Sequence, residues 1–269
     1  MKINRKLTVI DFFGGAGGFS EGFRQQGFEI IKGIDYWKPA VETFNHNFGL
    51  NGKAIDVLEY AGDIDKINQL PNSDIILGSP PCVSFSSSNK QGGANKTLGI
   101  SLIETFFRIV AVKKHQANSN LKAWFMENVS NSIKHTKDTY TFTELNLTEW
   151  ANEQGIDPDS QAINFIDNHK VLSSFDFGVA QSRKRLFAGE VISTGRFPDL
   201  ENKTGMKAIT KTFPTKKEAI QFSQKIEGSL YFKSLKNNFS LFHFLNLSLS
   251  HPTRKVVCSI SNHTAQLSL

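Results

Sequence analysis

A chain of 269 residues with 39% apolar and 21% charged content has room for one large domain with a full core and a small second one. Its net charge of +6 and pI of about 9.2 favour a polyanionic partner. Two cysteines exclude a disulfide framework and point to a reducing cytoplasm, Met1–Lys6 does not read as a secretory signal, and no apolar run approaches the ~20 residues that span a bilayer.

Leu7–Phe12 reads as a buried strand, followed by the glycine loop Phe13-Gly14-Gly15-Ala16-Gly17-Gly18 and a helical stretch from Phe19 to Gln26 that ends at Gly27. Strand, glycine loop and helix form the opening unit of a doubly wound α/β sheet; taken alone, the loop is equally an ordinary tight turn. Glu29–Ile34 is a second strand closed by Asp35, where a nucleotide-binding sheet places a carboxylate on ribose hydroxyls. Tyr36 and Trp37 follow; they suit a purine face or packing between helix and sheet. A helix is predicted from Pro39 to Asn47, with proline in its first turn. Lys53–Val57 is predicted as a third strand with Asp56 near its end.

Asp74–Leu77 is predicted as a fourth strand running into Gly78-Ser79-Pro80-Pro81-Cys82-Val83-Ser84-Phe85-Ser86. Two prolines before the thiol restrict the backbone and present Cys82 in a set orientation, either as a nucleophile or as a small buried apolar residue. Lys90–Gly99 is polar and reads as a mobile loop; residues 100–115 carry the period of an amphipathic helix. Lys122–Met126 is a fifth strand that ends in Glu127-Asn128-Val129. A carboxylate at that sheet edge suits chemistry, a helix cap or solvent exposure. Residues 138–168 read as mixed and helical in parts, and Val171–Phe177 and Leu186–Ile192 as strands. Between these strands lies Gln181-Ser182-Arg183-Lys184-Arg185; in an extended segment Arg183 and Arg185 share a face, as a clamp for a planar partner or as a solvated basic turn. Past Thr194, residues 195–255 are rich in Lys, Phe, Ser and Asn without a strong period, and the dispersed His and Cys form no metal-ligand cluster.

Four of these stretches, in this order, resemble the DNA cytosine-5 methyltransferase family. Asp11-Phe12-Phe13-Gly14-Gly15-Ala16-Gly17-Gly18-Phe19-Ser20 resembles its S-adenosylmethionine loop and Gly78–Ser86 its Pro-Cys loop. Glu127-Asn128-Val129 resembles its catalytic Glu-Asn-Val, and Gln181–Arg185 its Gln-x-Arg-x-Arg. The resemblance covers about residues 7 to 193. It implies a Rossmann-like, S-adenosylmethionine-dependent methyltransferase sheet over 1–194 and part of a variable target-recognition region over 195–269, where Ser259–Thr264 resembles a family segment.

The resemblance further implies covalent catalysis on a flipped cytosine of double-stranded DNA within a restriction-modification system. Cys82 would add to C6, Glu127 would serve N3 as the acid partner, and Arg183 and Arg185 would hold O2. For the cofactor it implies Phe13, Gly15, Ala16, Gly17 and Gly18 along the methionine and ribose. Asp35 falls on the ribose hydroxyls, Tyr36 (with Trp37 beside it) on the adenine, and Asp56 on its amino group. The donor is already activated, so no metal is expected. Family members continue into a further helical motif and a Gly-Asn motif that returns to the cofactor; neither is found before Leu269. The expectation is a truncated gene or one subunit of a split enzyme completed by a C-terminal chain. The alternatives are an inactive remnant or cofactor-binding scaffold and, as a minor third, an RNA cytosine-5 methyltransferase.

Overall fold

Alternation along the first strand decides which helices cover which face of the sheet. In a computed structural model of the chain, residues 5–81, 96–177, 183–199, 211–213 and 256–258 are described. Strand β1 (Thr8–Phe12) turns Val9 to one apolar cluster and Ile10 and Phe12 to another. The first cluster holds Phe23 of helix α1 (Gly18–Gln25) and Phe44 of helix α2 (Lys38–Phe48). The second is the larger and collects the aromatic residues of the opposite face, Phe106, Phe107 and Trp124 among them.

Strand β2 (Glu29–Ile34) pairs parallel with β1 on one side, and β3 (Ile75–Gly78) pairs parallel on the other. Beyond β3 lies β4 (Ala123–Val129), also parallel, and then β8 (Lys184–Val191), which is antiparallel to β4. With β7 (His169–Ser173) at the edge, the six-stranded order is β2-β1-β3-β4-β8-β7. The chain leaves β1 toward β2 and returns on the other side at β3, so the carboxyl ends of β1 and β3 flank a topological switch point, the usual place for a ligand in such sheets.

At the opposite ends of these strands, Asp74 ties three of them together. Its carboxylate accepts from Arg5 Nη2 at 2.7 Å, Lys122 Nζ at 2.8 Å, and both the backbone N–H and hydroxyl of Thr8 at 2.9 and 3.0 Å. Burial alone would push this carboxyl up; the bonds from Arg5, Lys122 and Thr8 outweigh it and hold the group well below the usual carboxylate range.

Four predicted elements differ from those observed. Lys53–Val57 forms no strand: Ile55 N–H bonds Asp35 O at 2.9 Å, and then Asp56 accepts the Leu58 N–H and starts a 3-10 turn, Val57–Tyr60, ahead of the short helix α3 (Ile64–Asn68). Burial of Tyr60 edge-on to Phe12, centroids 6.1 Å apart, outweighs continued pairing. Helix α4 (Lys96–His115) begins four residues earlier than expected and is buried nearly all round from Leu102 to Lys113. It lies between Trp124 of β4 and Tyr140 of strand β5 (Thr139–Thr141), with Phe107 meeting both rings, at 5.7 and 5.1 Å. Its two buried cations end on backbone carbonyls, Arg108 Nη1 on Leu145 O and Lys113 Nζ on Leu70 O. Residues 138–168, expected to be partly helical, form β5 paired with β6 (Gln161–Asn164), with the short helix α5 (Thr148–Glu153) between them. The strand expected at Val171–Phe177 starts and ends early, as β7, and passes into a 3-10 turn at Ser174–Phe177.

Contacts divide the chain into two units, Met1–Val171 with Arg185–Asp199 and Gln266–Leu269, and Leu172–Lys184 with Leu200–Ala265. Within the second, Ser174 N–H donates to Arg183 O at 3.0 Å, and strands β9 (Lys211–Phe213) and β10 (Val256–Cys258) pair antiparallel. Most of the 195–269 segment lies outside the described residues.

One packing detail shapes the ligand side of the sheet. A Cβ on Gly33 would lie 2.4 Å from the Phe44 ring, on Gly14 2.9 Å, and on Gly17 3.2 Å, so the ring lies flat on bare backbone. Gly33→Ala drives a methyl group into a ring that is 2% exposed. The expected cost is about 1–3 kcal/mol, read as a lower urea midpoint with an unchanged denaturant slope.

Candidate active site

The loop after β1 is built around left-handed backbone. Phe13 has φ 56, Gly15 φ 53 and Gly17 φ 95. For Phe13 this conformation costs about 1–2 kcal/mol, which the packing of its ring against the larger cluster offsets. Gly17 is the residue before α1, and its Cβ would stand 2.2 Å from Phe48, so no side chain fits there on either ground. Asn47 Nδ2 of α2 donates to Ala16 O at 2.9 Å and closes the loop onto that helix.

Asp35, at the end of β2, joins this loop to the aromatic residues that follow. Its Oδ2 accepts the Gly15 N–H at 3.0 Å and its Oδ1 accepts the Trp37 N–H at 2.9 Å. A cavity of about 330 Å³ results, lined by Gly15, Ala16, Asp35, Tyr36, Trp37, Pro39, Ala40 and Thr43. Tyr36 and Trp37 are 70% and 60% exposed, unusual for such large rings unless something covers them. One carboxylate, two open aromatic faces and a loop without bulky side chains suit a nucleoside: a diol for Asp35 and a purine for the rings. The residues present therefore fit the adenosyl part of S-adenosylmethionine.

Gly15, Ala16, Asp35 and Tyr36 of the expected cofactor set line this cavity, and Trp37 stands there with Tyr36. Phe13, Gly17 and Gly18 are not among its lining residues; they shape the loop, with Gly18 opening α1. Asp56 is exposed, and its Oδ1 accepts the Leu58 N–H at 2.9 Å. Ala40 and Thr43 were not singled out in the sequence, and Pro39 was read only as the start of a helix; their side chains carry no chemistry that marks them as ligand-facing.

The second half of the site is at the ends of β3 and β4. Glu127 pairs in register with Phe187, and Arg185 lies two residues before it, on the same face. Arg185 Nε donates to Glu127 Oε1 at 2.8 Å, and both side chains are about three-quarters covered. Next to Glu127, Asn128 is buried and donates from Nδ2 to Pro80 O at 3.3 Å, while its Oδ1 accepts the Val129 N–H at 2.8 Å. Asn128 so pins the Pro-Pro segment to the strand that carries Glu127. Phe19 of α1 meets Phe187 at 6.2 Å, which packs the loop's own helix against the same strand.

Cys82, Gln181 and Ser182 lie outside the described residues, as do residues 83–95, which include part of the polar loop expected at Lys90–Gly99. Arg183 is exposed, and its N–H donates to Ser174 Oγ at 3.2 Å; it belongs to the smaller unit and Arg185 to the larger. Among the described residues no cluster of three or more His, Cys, Asp or Glu could hold a metal ion, and no helix is long and apolar enough to cross a membrane.

Beneath the glycine loop sits a group whose chemistry was not singled out in the sequence. Asp11 is fully buried on the α1–α2 face of β1. Its Oδ2 accepts the Ser20 hydroxyl at 2.7 Å, and its Oδ1 has no hydrogen-bond partner among the described residues. Burial pushes its carboxyl up to about 7, against the bonds from Ser20 and with a smaller push from the charge of Asp35.

A family model described as C-5 cytosine-specific DNA methylase matches residues 7–266. Among curated proteins, the chain is similar to the Type II methyltransferase M.HgiDI of Herpetosiphon aurantiacus, 38% identical over 101 residues, covering 36% of this chain and 32% of that one. It is 31% identical to the Type II methyltransferase M.HhaI of Haemophilus parahaemolyticus over 184 residues, covering 67% of this chain and 48% of that one. With the Type II methyltransferase M.NgoFVII of Neisseria gonorrhoeae it shares 31% identity over 226 residues, covering 81% of this chain and 53% of that one. The chain spans about half or less of the length of these three relatives.

The buried Asp11 makes stability depend on pH. Its folded-state value is raised above the unfolded one, so its contribution is fully present below about pH 4 and is lost as pH rises through about 7. Asp11→Asn keeps the shape and removes the titration. The stability difference between Asp11→Asn and wild type should shift in favour of the variant by up to about 4 kcal/mol between about pH 4 and pH 8, measured as urea midpoints at each pH.

Proposed function

The chain belongs to the C-5 cytosine-specific DNA methylase family, and from that premise we propose that it transfers a methyl group from S-adenosylmethionine to C5 of cytosine in double-stranded DNA, as the modification activity of a restriction-modification system. The observation that carries this reading is the Glu127–Arg185 pair at 2.8 Å, on one face of the strand whose Asn128 bonds Pro80.

Cytosine C5 attacks nothing until a nucleophile adds to C6. In this reading the Cys82 thiolate forms the bond to C6, and electron density moves through the ring toward N3 and O2. Glu127 serves N3, and Arg185 fixes the orientation of that carboxyl and places positive charge where the ring becomes negative. Arg183 is assigned the O2 side with it. Bound S-adenosylmethionine supplies an electrophilic methyl group on its sulfonium. C5 takes that methyl group, the C5 proton leaves to a base, and expulsion of the Cys82 thiolate restores the aromatic ring.

Asp35 takes the ribose diol, Tyr36 and Trp37 the adenine, and Asp56 its amino group. Gly15 and Ala16 let the methionine part approach the backbone, with Phe13, Gly17 and Gly18 holding the loop's shape. The base must leave the duplex to reach Cys82, at a cost of about a few kcal/mol. The positive net charge of +6 supports a phosphate backbone as partner.

Duplex DNA containing 5-fluorocytosine tests the reading, because fluorine at C5 cannot leave as a proton does and the adduct stays attached. In the presence of S-adenosylmethionine, with and without a candidate complementing chain, wild type should form a denaturation-resistant adduct, and Cys82→Ala none. Glu127→Gln should slow trapping by about 10²–10⁴-fold. No adduct under either condition, from folded protein that binds the cofactor, favours a cofactor-binding scaffold; an adduct only with RNA moves the substrate class.

A further inference from the structure

Asp11 is a costly residue where it stands. Its neighbours on the same sheet face are Val9, Leu77, Phe44 and Phe23, all apolar and buried. Its register partners on β2 and β3 are Gly33 and Leu77, and neither carries a charge. From α1 it receives the Ser20 hydroxyl; from the loop above it, a Cβ on Gly14 would come within 3.4 Å of its Cγ. The titratable group that acts on it is Asp35, from the turn between β2 and α2. A hydroxyl or an amide would fill this space and satisfy Ser20 without the cost of a buried acid. Among the described residues, nothing bonds the second carboxyl oxygen.

Only the glycine loop separates Asp11 from the cavity: a Cβ on Gly14 would come within 3.4 Å of its carboxyl carbon, and the next two residues, Gly15 and Ala16, line the cavity, as does Asp35, so a charge placed there acts on Asp11 across one layer of backbone. A positive charge in the same place acts with the opposite sign to Asp35 and favours ionised Asp11. Under the reading above, the cavity receives a ligand that changes charge during the reaction. The donor is a sulfonium cation, and the product left after the methyl group departs is a neutral thioether of nearly the same shape.

We propose that Asp11, beneath the glycine loop, is a specificity-determining residue for the cofactor, favouring the cationic sulfonium donor over its neutral thioether product. The proposal rests on the assignment of this cavity to S-adenosylmethionine. Donor binding draws Asp11 into its ionised form, and the proton goes to solvent. Methyl transfer removes the sulfonium charge, Asp11 takes a proton back, and the product loses the attraction that held the donor. The residue does this without touching the reacting atoms, through the field across the loop.

The test is calorimetric titration of the 269-residue chain with S-adenosylmethionine and separately with S-adenosylhomocysteine, from about pH 5.5 to pH 8.5, in two buffers of different ionisation enthalpy. For wild type, donor affinity should rise about five- to tenfold over that range, with proton release near neutrality, while product affinity changes by less than about twofold. Asp11→Asn should bind both ligands with the pH dependence of the donor removed. Ser20→Ala takes away the one hydroxyl bond to the carboxylate and should move the donor's inflection to higher pH; this variant carries the test if Asp11→Asn does not fold. A flat donor profile in wild type, an equal rise for the thioether, an unchanged rise in Asp11→Asn, or an unmoved inflection in Ser20→Ala overturns the proposal. Binding of neither ligand at any pH overturns the cofactor assignment and this proposal with it, whereas binding of both without pH dependence overturns the proposal alone.

Discussion

Phe44 lying on bare backbone is the contact on which the ligand side of this sheet depends. Its ring occupies space that a side chain at Gly33, Gly14 or Gly17 would need. Because those positions are glycine, α2 sits close to β1 and β2, and Phe48 follows Phe44 at 4.6 Å to close over the loop. Asn47 then reaches Ala16, and the first turn of α2 carries Pro39, Ala40 and Thr43 to the cavity. Aromatic rings gain most from flat, dense contact, and glycine is the residue that permits a helix side chain to touch the sheet backbone.

Around that packing, the site separates its charges by environment. Asp35 is tied to two backbone N–H groups and faces the cavity; Asp11, one strand away, is held in an apolar layer with half its carboxyl unbonded. Glu127 and Arg185 neutralise each other at the end of β4. The two halves are mechanically joined by Phe19 against Phe187 and by Asn128 against Pro80.

Much of the fold was legible because strong local signals agreed with the tertiary outcome. β2 was expected and observed over Glu29–Ile34, and the glycine loop opened a helix where it was expected. Lys53–Val57 was not legible, since its apolar residues satisfy a 3-10 turn under Phe12 as well as a strand, and only the position of Tyr60 decides between them. The period in 100–115 suggested a helix with a wet face; α4 is instead buried nearly all round, and Tyr140 of β5, which meets its Phe107, comes from a segment read as partly helical. At the site, Asp35 and the aromatic pair stood out by chemistry and spacing. Thr43 and Ala40 did not, because their importance comes from where other elements put them.

By itself, the amino-acid sequence determined the order of strand, glycine loop and acid, and the four motifs that identify the family, because these rest on residue type and spacing along the chain. It also determined which carboxylates and arginines were available for chemistry. Tertiary structure alone decided that Arg185 meets Glu127, that Tyr36 and Trp37 both stand open on one cavity, and that Asp11 is buried with an oxygen unpaired. Each of these depends on residues far apart in the chain packing at close range, and the charge a buried group carries follows from that packing rather than from its neighbours in sequence.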